Sequence, residues 1–377
     1  MSTVRIVHTA DVHLDAPNAE LGERAAALRR ATREAFTRVI DLCLERDAHL
    51  LIVAGDLFNQ ARPDAATIDF ALGQLRRLTE ASPPVAVALL PGTHDCWREG
   101  ALWDSPRMRA LGDSVHALCG PEAVTIHLPQ LDLALHGCAH LCGRERQRPL
   151  SGLRPEADLP LNVGVAHGSM ERGDVADSSM FDAEEIAATG MDYLALGHWH
   201  SWTDHTAGDV VAINPGSPEI DGFAQRDAGA VAVVTLGEGR TRVERVTVGA
   251  LRGEQVAIDA GELGGTEDLV TRIREHANDG LLLHVTVGGL AAPGVLIDVQ
   301  AAQERLADEF FALRIVDDTH PAIEDLEGVA ADGLALGRFV ELARERIQAA
   351  GDERERRVAE RALQIGVAML RGEGGLR

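Results

Sequence analysis

Five short apolar runs in the first 200 residues each end in a loop bearing carboxylate or imidazole side chains, and this pattern constrains the fold more than any other feature. The loops are Asp11-Val12-His13, Gly55-Asp56, Gly92-Thr93-His94-Asp95, His167-Gly168 and Gly197-His198-Trp199-His200. An open α/β sheet can bring such distant segments together, because its ligand sites lie outside the carboxyl ends of the strands. In an extended Asp-x-His or His-x-His segment, alternate side chains share one side, so both can face a common site. Glycines beside them permit the sharp turn out of the strand.

The flanking sequence supports a layered α/β domain. Strands are expected at residues 4–8, 50–54, 85–90, 161–166 and 193–196. Leu28, Ala31, Ala35, Val39, Leu42 and Cys43 recur at helical spacing, predicting an amphipathic helix over 23–46 with an arginine-rich outer face; a second helix fits 65–81. Segments 210–213, 230–236 and 242–248 read as antiparallel strands joined by turns, with Gly237 and Gly239 as a hairpin signal. Beyond about residue 250 a small α/β unit is expected, with helix at 269–277, strand at 281–287 and helix at 301–311. From 333 to 370 the spacing of Leu336, Phe339, Leu342 and Ile347, then of Val358, Ala362, Ile365 and Met369, predicts two helices broken at Gly351.

The candidate ligands mix imidazole and carboxylate without thiolate, which disfavours a structural cysteine-type zinc site and suits Mn²⁺, Fe or catalytic Zn²⁺. Asp11, His13, Asp56, His167, His198 and His200 are too many for one four-coordinate ion. Two ions sharing a carboxylate accommodate them, and at a separation of roughly 3.5–4 Å such a pair clamps a phosphoryl group for in-line attack.

Charge narrows the function classes. All 36 basic residues are arginine, against 59 acidic ones, for a net charge of −23. Such a balance argues against a protein that grips nucleic acid by bulk electrostatics, so any DNA chemistry needs metal ions or a partner. No run approaches the roughly 20 apolar residues of a membrane span, and the amino terminus does not read as a signal peptide. Five cysteines, odd in number and without framework spacing, leave the cytoplasm as the expected compartment. Cys138-Ala139-His140-Leu141-Cys142 offers half of a zinc site without a second pair of ligands. Trp199 and Trp202 flank the last ligands and are expected to pack over the site rather than to stack on bases.

The order DxH, GD, GxHD, H and GHxH resembles the calcineurin-like metallophosphoesterase superfamily, across the first 250 residues. Asp56-Leu57-Phe58 and Asn214-Pro215-Gly216-Ser217-Pro218 are similar to its DNA-repair exonuclease branch, that of the nuclease subunit of the SbcCD complex. The resemblance implies a four-layer α/β/β/α metallophosphoesterase sandwich over 1–250, a small α/β capping domain over 251–330 and a helical partner-docking segment over 331–377. It further implies a two-metal-dependent phosphodiesterase acting on DNA, a repair exonuclease working with a coiled-coil ATPase of the SbcC type. A homodimer stays open, as do two other functions: a small-molecule phosphodiesterase, and a non-catalytic scaffold subunit. By the same resemblance Asp11, His13, Asp56 and His200 hold one metal, and Asp56, His167 and His198 the other, with Mn²⁺ expected ahead of Fe or Zn. His94 is then the non-ligand histidine serving the scissile phosphate or leaving oxygen, and Asp95 the acid that orients it. One departure stands out: the family's third motif usually reads Gly-Asn-His-Asp, and here Thr93 replaces the metal-binding Asn, as a weaker ligand or the holder of a water.

Overall fold

Runs of uninterrupted burial set the architecture. Leu50–Ala54, Ala86–Leu90, Leu133–Gly137 and Tyr193–Gly197 are buried at every position, as strands covered on both faces must be. The computed structural model describes residues 3–143, 147–171, 179–237, 239–292, 295–321 and 334–371. It divides the chain into two units, Met1–Arg252 and Gly253–Arg377.

Two six-stranded sheets form the first unit. One runs in the order Arg240–Thr247, Ala230–Gly237, Val4–Thr9, Leu50–Ala54, Ala86–Leu90, Val115–Ala117. Its last four strands are parallel, and the first two join antiparallel. The other sheet runs Thr203–Asp204, Val211–Asn214, Tyr193–Gly197, Leu161–His167, Leu133–Gly137, Val124–Leu128. Its four central strands are parallel and its edges antiparallel.

Side-chain alternation along the strands then builds the layers. Ile6, Ile52 and Ala88 of the first sheet meet Leu135, Val165 and Ala195 of the second in an inner core. On the first sheet's outer face, Val7, Leu51 and Val53 pack against Phe36, Val39 and Ile40 of helix Ala25–Glu45 and Leu72 and Leu75 of helix Ala65–Thr79. Asp64 starts the latter helix by accepting the Thr67 N–H at 2.8 Å. Ala166, Leu194 and Ala212 of the second sheet are covered by Ile186 of helix Ala183–Thr189, which opens with a reciprocal Asp182–Glu185 capping box. The result is the four-layer α/β/β/α sandwich that the resemblance implied.

The second unit holds a three-stranded sheet of Arg252–Asp259, Asn278–Ala291 and Phe310–Pro321. Helices Thr266–Arg274 and Val299–Leu306 bury Leu269, Ile273, Ala302 and Leu306 against it. Helices Leu334–Gln348 and Glu353–Arg371 pair through Val340, Leu363 and Val367, and the last helix touches the two longer strands.

Several sequence expectations need correction. Val211–Asn214 is parallel to Tyr193–Gly197 in the second sheet, not part of an antiparallel set with the two strands that follow. The helix expected over 301–311 ends at Leu306, and Phe310 already belongs to a strand, its apolar side chain filling the sheet's core. In the last helix Val358 and Ala362 are exposed while Leu363 and Val367 are buried against the facing helix, where Phe339 requires the small Gly366 opposite it; the side chains of Ile365 and Met369 lie outside the described residues.

Candidate metal centre

Parallel pairing places the carboxyl ends of Val4–Thr9, Leu50–Ala54 and Ala86–Leu90 along one edge, and the loops leaving them are tied together at once. Asp11 N–H donates to the Gly55 carbonyl at 3.1 Å and His13 N–H to that of Asp56 at 3.0 Å. From the second sheet, His198 N–H donates to Asp11 Oδ2 at 2.8 Å and His167 Nδ1 to the Ala54 carbonyl at 2.9 Å. Asp11, His13, Asp56 and His198 all hold positive φ, at 52°, 48°, 52° and 101°. Each such backbone costs on the order of 1–3 kcal/mol and persists only where surrounding bonds over-determine it, which is typical of functional sites. Gly92 is required for a different reason: a Cβ there would lie 2.2 Å from Asp56 Oδ1.

The side chains converge as strands and turns dictate. His13 Nε2 lies 3.2 Å from His200 Nε2 and 3.7 Å from Asp56 Oδ2. Asp11 Oδ1 is 4.0 Å from the Nε2 atoms of His13, His167 and His200 alike. His167 Nε2 approaches Asp56 Oδ2 at 3.2 Å, and His198 Nδ1 stands 3.3 Å from His167 Nε2. Among the described residues, three groups of candidate ligands have their donor atoms within 4.8 Å of one another: Asp11, His13 and His200; His13, Asp56 and His94; Asp11, Asp56 and His167. Asp56 thus reaches both sides of the cluster, and so does Asp11; His198 stands beside His167 with its N–H on Asp11.

Electrostatics ties these groups into one unit. Burial opposes a charge on His167, yet the Asp56 carboxylate overrides it and raises the imidazole to about 10. Burial likewise opposes the Asp56 charge, and His167 holds that carboxyl far below the usual range. For His200 burial is again outweighed, here by a hydrogen bond to Asp221, and the ring is raised to about 9. Protonated imidazoles are one way to balance two buried carboxylates; divalent cations are the other. The donor set fits them. Nδ1 of His167 and of His200 faces an acceptor, so each can turn an Nε2 lone pair inward. His13 Nδ1 is buried without a hydrogen-bond partner, which leaves Nε2 as the atom with a task.

The third motif is arranged differently from expectation. Thr93 Oγ1 donates to Asp56 Oδ2 at 3.1 Å, and His94 N–H to Asp56 Oδ1 at 2.8 Å. His94 is exposed at the mouth, its ring edge-on to His13 at 4.7 Å, with Nδ1 3.2 Å from the Asn59 carbonyl. Asp95, expected to orient His94, accepts instead from Gly92 N–H at 2.7 Å and Phe58 N–H at 3.1 Å. Its carboxylate is fully buried, a placement that leaves it to tie two loops together, and burial with the nearby Asp56 charge raises it to about 7.

Sequence reasoning missed Asn59, Asp221 and Gln225, whose roles come from chain folding with no local motif to flag them. Cys138 and Cys142 do not form a zinc pair: Cys142 is bonded to Cys96, and Cys138 is buried beside Gln147. Trp199, between the last two candidate ligands, is 49% exposed, and Trp202 is half-buried beneath Arg245.

A sandwich of this kind, gathering carboxylates and imidazoles at its strand ends, defines a metal-dependent phosphoesterase. Residues 4–202 match the calcineurin-like phosphoesterase family, and the chain belongs to it. It is 23% identical over 344 residues to the uncharacterized metallophosphoesterase YhaO of Bacillus subtilis, covering 85% of this chain and 83% of that one. It is 27% identical over 368 residues to the DNA double-strand break repair protein Mre11 of Methanopyrus kandleri, covering 90% and 78%. With Mre11 of Haloferax volcanii the identity is 25% over 350 residues, covering 92% and 74%.

Proposed function

We propose that this phosphoesterase is a two-metal phosphodiesterase acting on DNA, an exonuclease that works in the cytoplasm with a coiled-coil ATPase of the SbcC type. The observation that carries the reading is the placement of exposed His94 beside a cluster of Asp11, His13, Asp56, His167 and His200. Likeness to Mre11 proteins over most of both chains supports DNA as the substrate. Asp11, His13 and His200 would hold one ion, Asp56, His167 and His198 the other, with Asp56 between and Thr93 beside it. Divalent ions, Mn²⁺ first, supply charge neutralisation for the phosphoryl oxygens and an activated water.

The chain's own groups do the rest. Asp56 is held for its task by Thr93 Oγ1 and His94 N–H. With Nδ1 donating to the Asn59 carbonyl, His94 keeps Nε2 free to contact the scissile phosphate or the leaving oxygen. Leu342, Val358 and Leu370, apolar and exposed on the C-terminal helices, suit a coiled-coil partner.

Hydrolysis of bis(p-nitrophenyl) phosphate and of linear DNA should vanish on chelation and return best with Mn²⁺. His94→Ala should slow both by about 10²-fold or more while metal content stays unchanged, the usual scale for lost proton or charge assistance. Activity that survives complete chelation would dispose of the metal reading; hydrolysis of the small diester alone would leave DNA out. The net charge of −23 favours that second reading, a small-molecule phosphodiesterase, because it repels a polyanion outside the immediate site.

A further inference from the structure

Three histidines present Nε2 to the cluster, and their outer nitrogens are supported in three different ways. His13 Nδ1 has no hydrogen-bond partner, and His167 Nδ1 faces a neutral main-chain carbonyl, that of Ala54, at 2.9 Å. His200 Nδ1 faces a carboxylate, Asp221 Oδ2, at 3.0 Å, and the Gln225 amide nitrogen also lies against it.

That carboxylate is itself held from several sides. Gln225, 8% exposed, donates through Nε2 to Asp221 Oδ1 and accepts the Asp221 N–H on Oε1 at 2.9 Å. A turn closed by Gln225 N–H on the Gly222 carbonyl, 3.3 Å, brings the two side chains together. Behind the ring, Ser217 N–H donates to the His200 carbonyl at 3.2 Å, so the backbone of the Asn214-Pro215-Gly216-Ser217-Pro218 turn fixes where the imidazole starts. Residues 217 to 225 thus form a cradle around one ligand.

We propose that Asp221, clamped by Gln225, is a positioning residue that locks His200 in the tautomer with Nδ1–H outward and the Nε2 lone pair inward, making the Asp11, His13 and His200 group the tighter half of the metal centre. The inference rests on the metal-centre reading and not on DNA as substrate. A carboxylate acceptor draws the Nδ1 proton outward and makes Nε2 a better donor to a cation than a neutral carbonyl does. Within the group only His200 has this support, because His13 lacks an outer partner altogether. Asp221 and Gln225 both meet His200 at Nδ1, the ring atom turned away from Asp11 and His13, so their effect passes through the orientation of His200.

Mn²⁺ titrations followed by calorimetry, without substrate, test the proposal on the full chain. In Asp221→Ala the tighter of two binding steps should weaken by roughly 10- to 100-fold, the usual effect of losing a ligand's outer partner. The weaker step should hold. Asp221→Asn, which keeps an acceptor but not its charge, should fall between, and so should Gln225→Ala. Long-range proton–nitrogen spectra of the Zn²⁺-loaded protein should show His200 with a protonated Nδ1, and a changed signal in Asp221→Ala. This spectrum also reports on a variant whose stability has dropped. An Asp221→Ala protein that binds both ions like the unsubstituted one, or an unchanged His200 signal, would overturn the proposal. Loss confined to the weaker step would also overturn it. DNA hydrolysis enters neither readout, so failure of the DNA reading would leave these outcomes intact.

Discussion

Thr93 is the residue on which the distinction between an active site and a relic turns. Its hydroxyl lies 3.1 Å from Asp56 Oδ2, close enough to steady that carboxylate but on a shorter arm than the family's Asn. Thr93→Asn is therefore expected to tighten the weaker Mn²⁺ site by about tenfold, the low end of effects seen when a metal's surroundings change. Activity should rise at limiting Mn²⁺ and stay level at saturation; an unaltered calorimetric profile would mean that the hydroxyl already serves fully. A second outcome follows from the imidazoles. His167 and His200, raised to about 10 and about 9, bind protons in the folded chain well above the ordinary 6.5. The stability these protons contribute in the metal-free protein is complete below pH about 6.5 and is lost as pH climbs through 9 and 10. Because metal must displace them, Mn²⁺ affinity should increase between pH 6.5 and 9 by about tenfold per unit for each proton released. A flat affinity over that range would show both rings already neutral. At this scale the sequence was legible wherever a ligand followed an apolar run: Asp11, His13, Asp56, His167 and His200 could be named because strand ends are recognisable. It was silent on Asn59, Asp221 and Gln225, which matter through hydrogen bonds that exist only once distant loops meet.

Among elements, the loop carrying the third motif is fastened more heavily than its sequence suggested. Cys96 is bonded to Cys142 across 46 residues, a pairing that no spacing rule supplies because the partner arrives from beyond the Leu133–Gly137 strand. Alongside it, Trp97 N–H donates to the His140 carbonyl at 2.8 Å, Cys142 N–H to that of Trp97 at 3.0 Å and His140 N–H to that of Pro91 at 3.2 Å. Gln147 adds a bond from its amide to the Ala139 carbonyl at 2.7 Å. Chain entropy assigns a loop of this length roughly 4 kcal/mol at most, while the hydrogen bonds preserve the geometry without the covalent link. Cys96→Ser combined with Cys142→Ser should lower the melting temperature by several degrees and leave Mn²⁺-dependent hydrolysis within about twofold. A folded variant without activity would place the fastening in the disulfide rather than in the backbone bonds. Elements read correctly from sequence were those with a strong period, such as Ala25–Glu45 and Leu50–Ala54. Val124–Leu128 and Leu133–Gly137 escaped notice, since each is five residues long and carries a histidine that breaks its apolar run. Val211–Asn214 was visible as a strand, but its partner was not, because pairing is set by the sandwich and not by the nearest turn.

Over the whole molecule the governing quantity is charge. With 59 acidic residues against 36 arginines, phosphate groups beyond the metal cluster meet a net repulsive field. If the chain acts on DNA, its isolated affinity must therefore come from the metal centre and from short-range contacts such as the half-exposed Trp199 beside the last two ligands. That requirement has a measurable signature. A protein that neutralises Z phosphates through a basic face loses affinity with salt along a slope of about −0.9Z, so six contacts give a slope near −5. For this chain alone, duplex DNA binding in Mn²⁺ should follow a slope shallower than about −3 and should collapse when the ions are chelated. Trp199→Ala should weaken single-stranded DNA by about 1–3 kcal/mol, the range for a lost base–aromatic stack, without altering the salt slope. Fluorescence anisotropy across a salt series checks each point. A slope of −5 or steeper in the isolated chain would demand a basic face that the composition does not provide, and DNA would then be held by a surface other than the one argued from the metal centre.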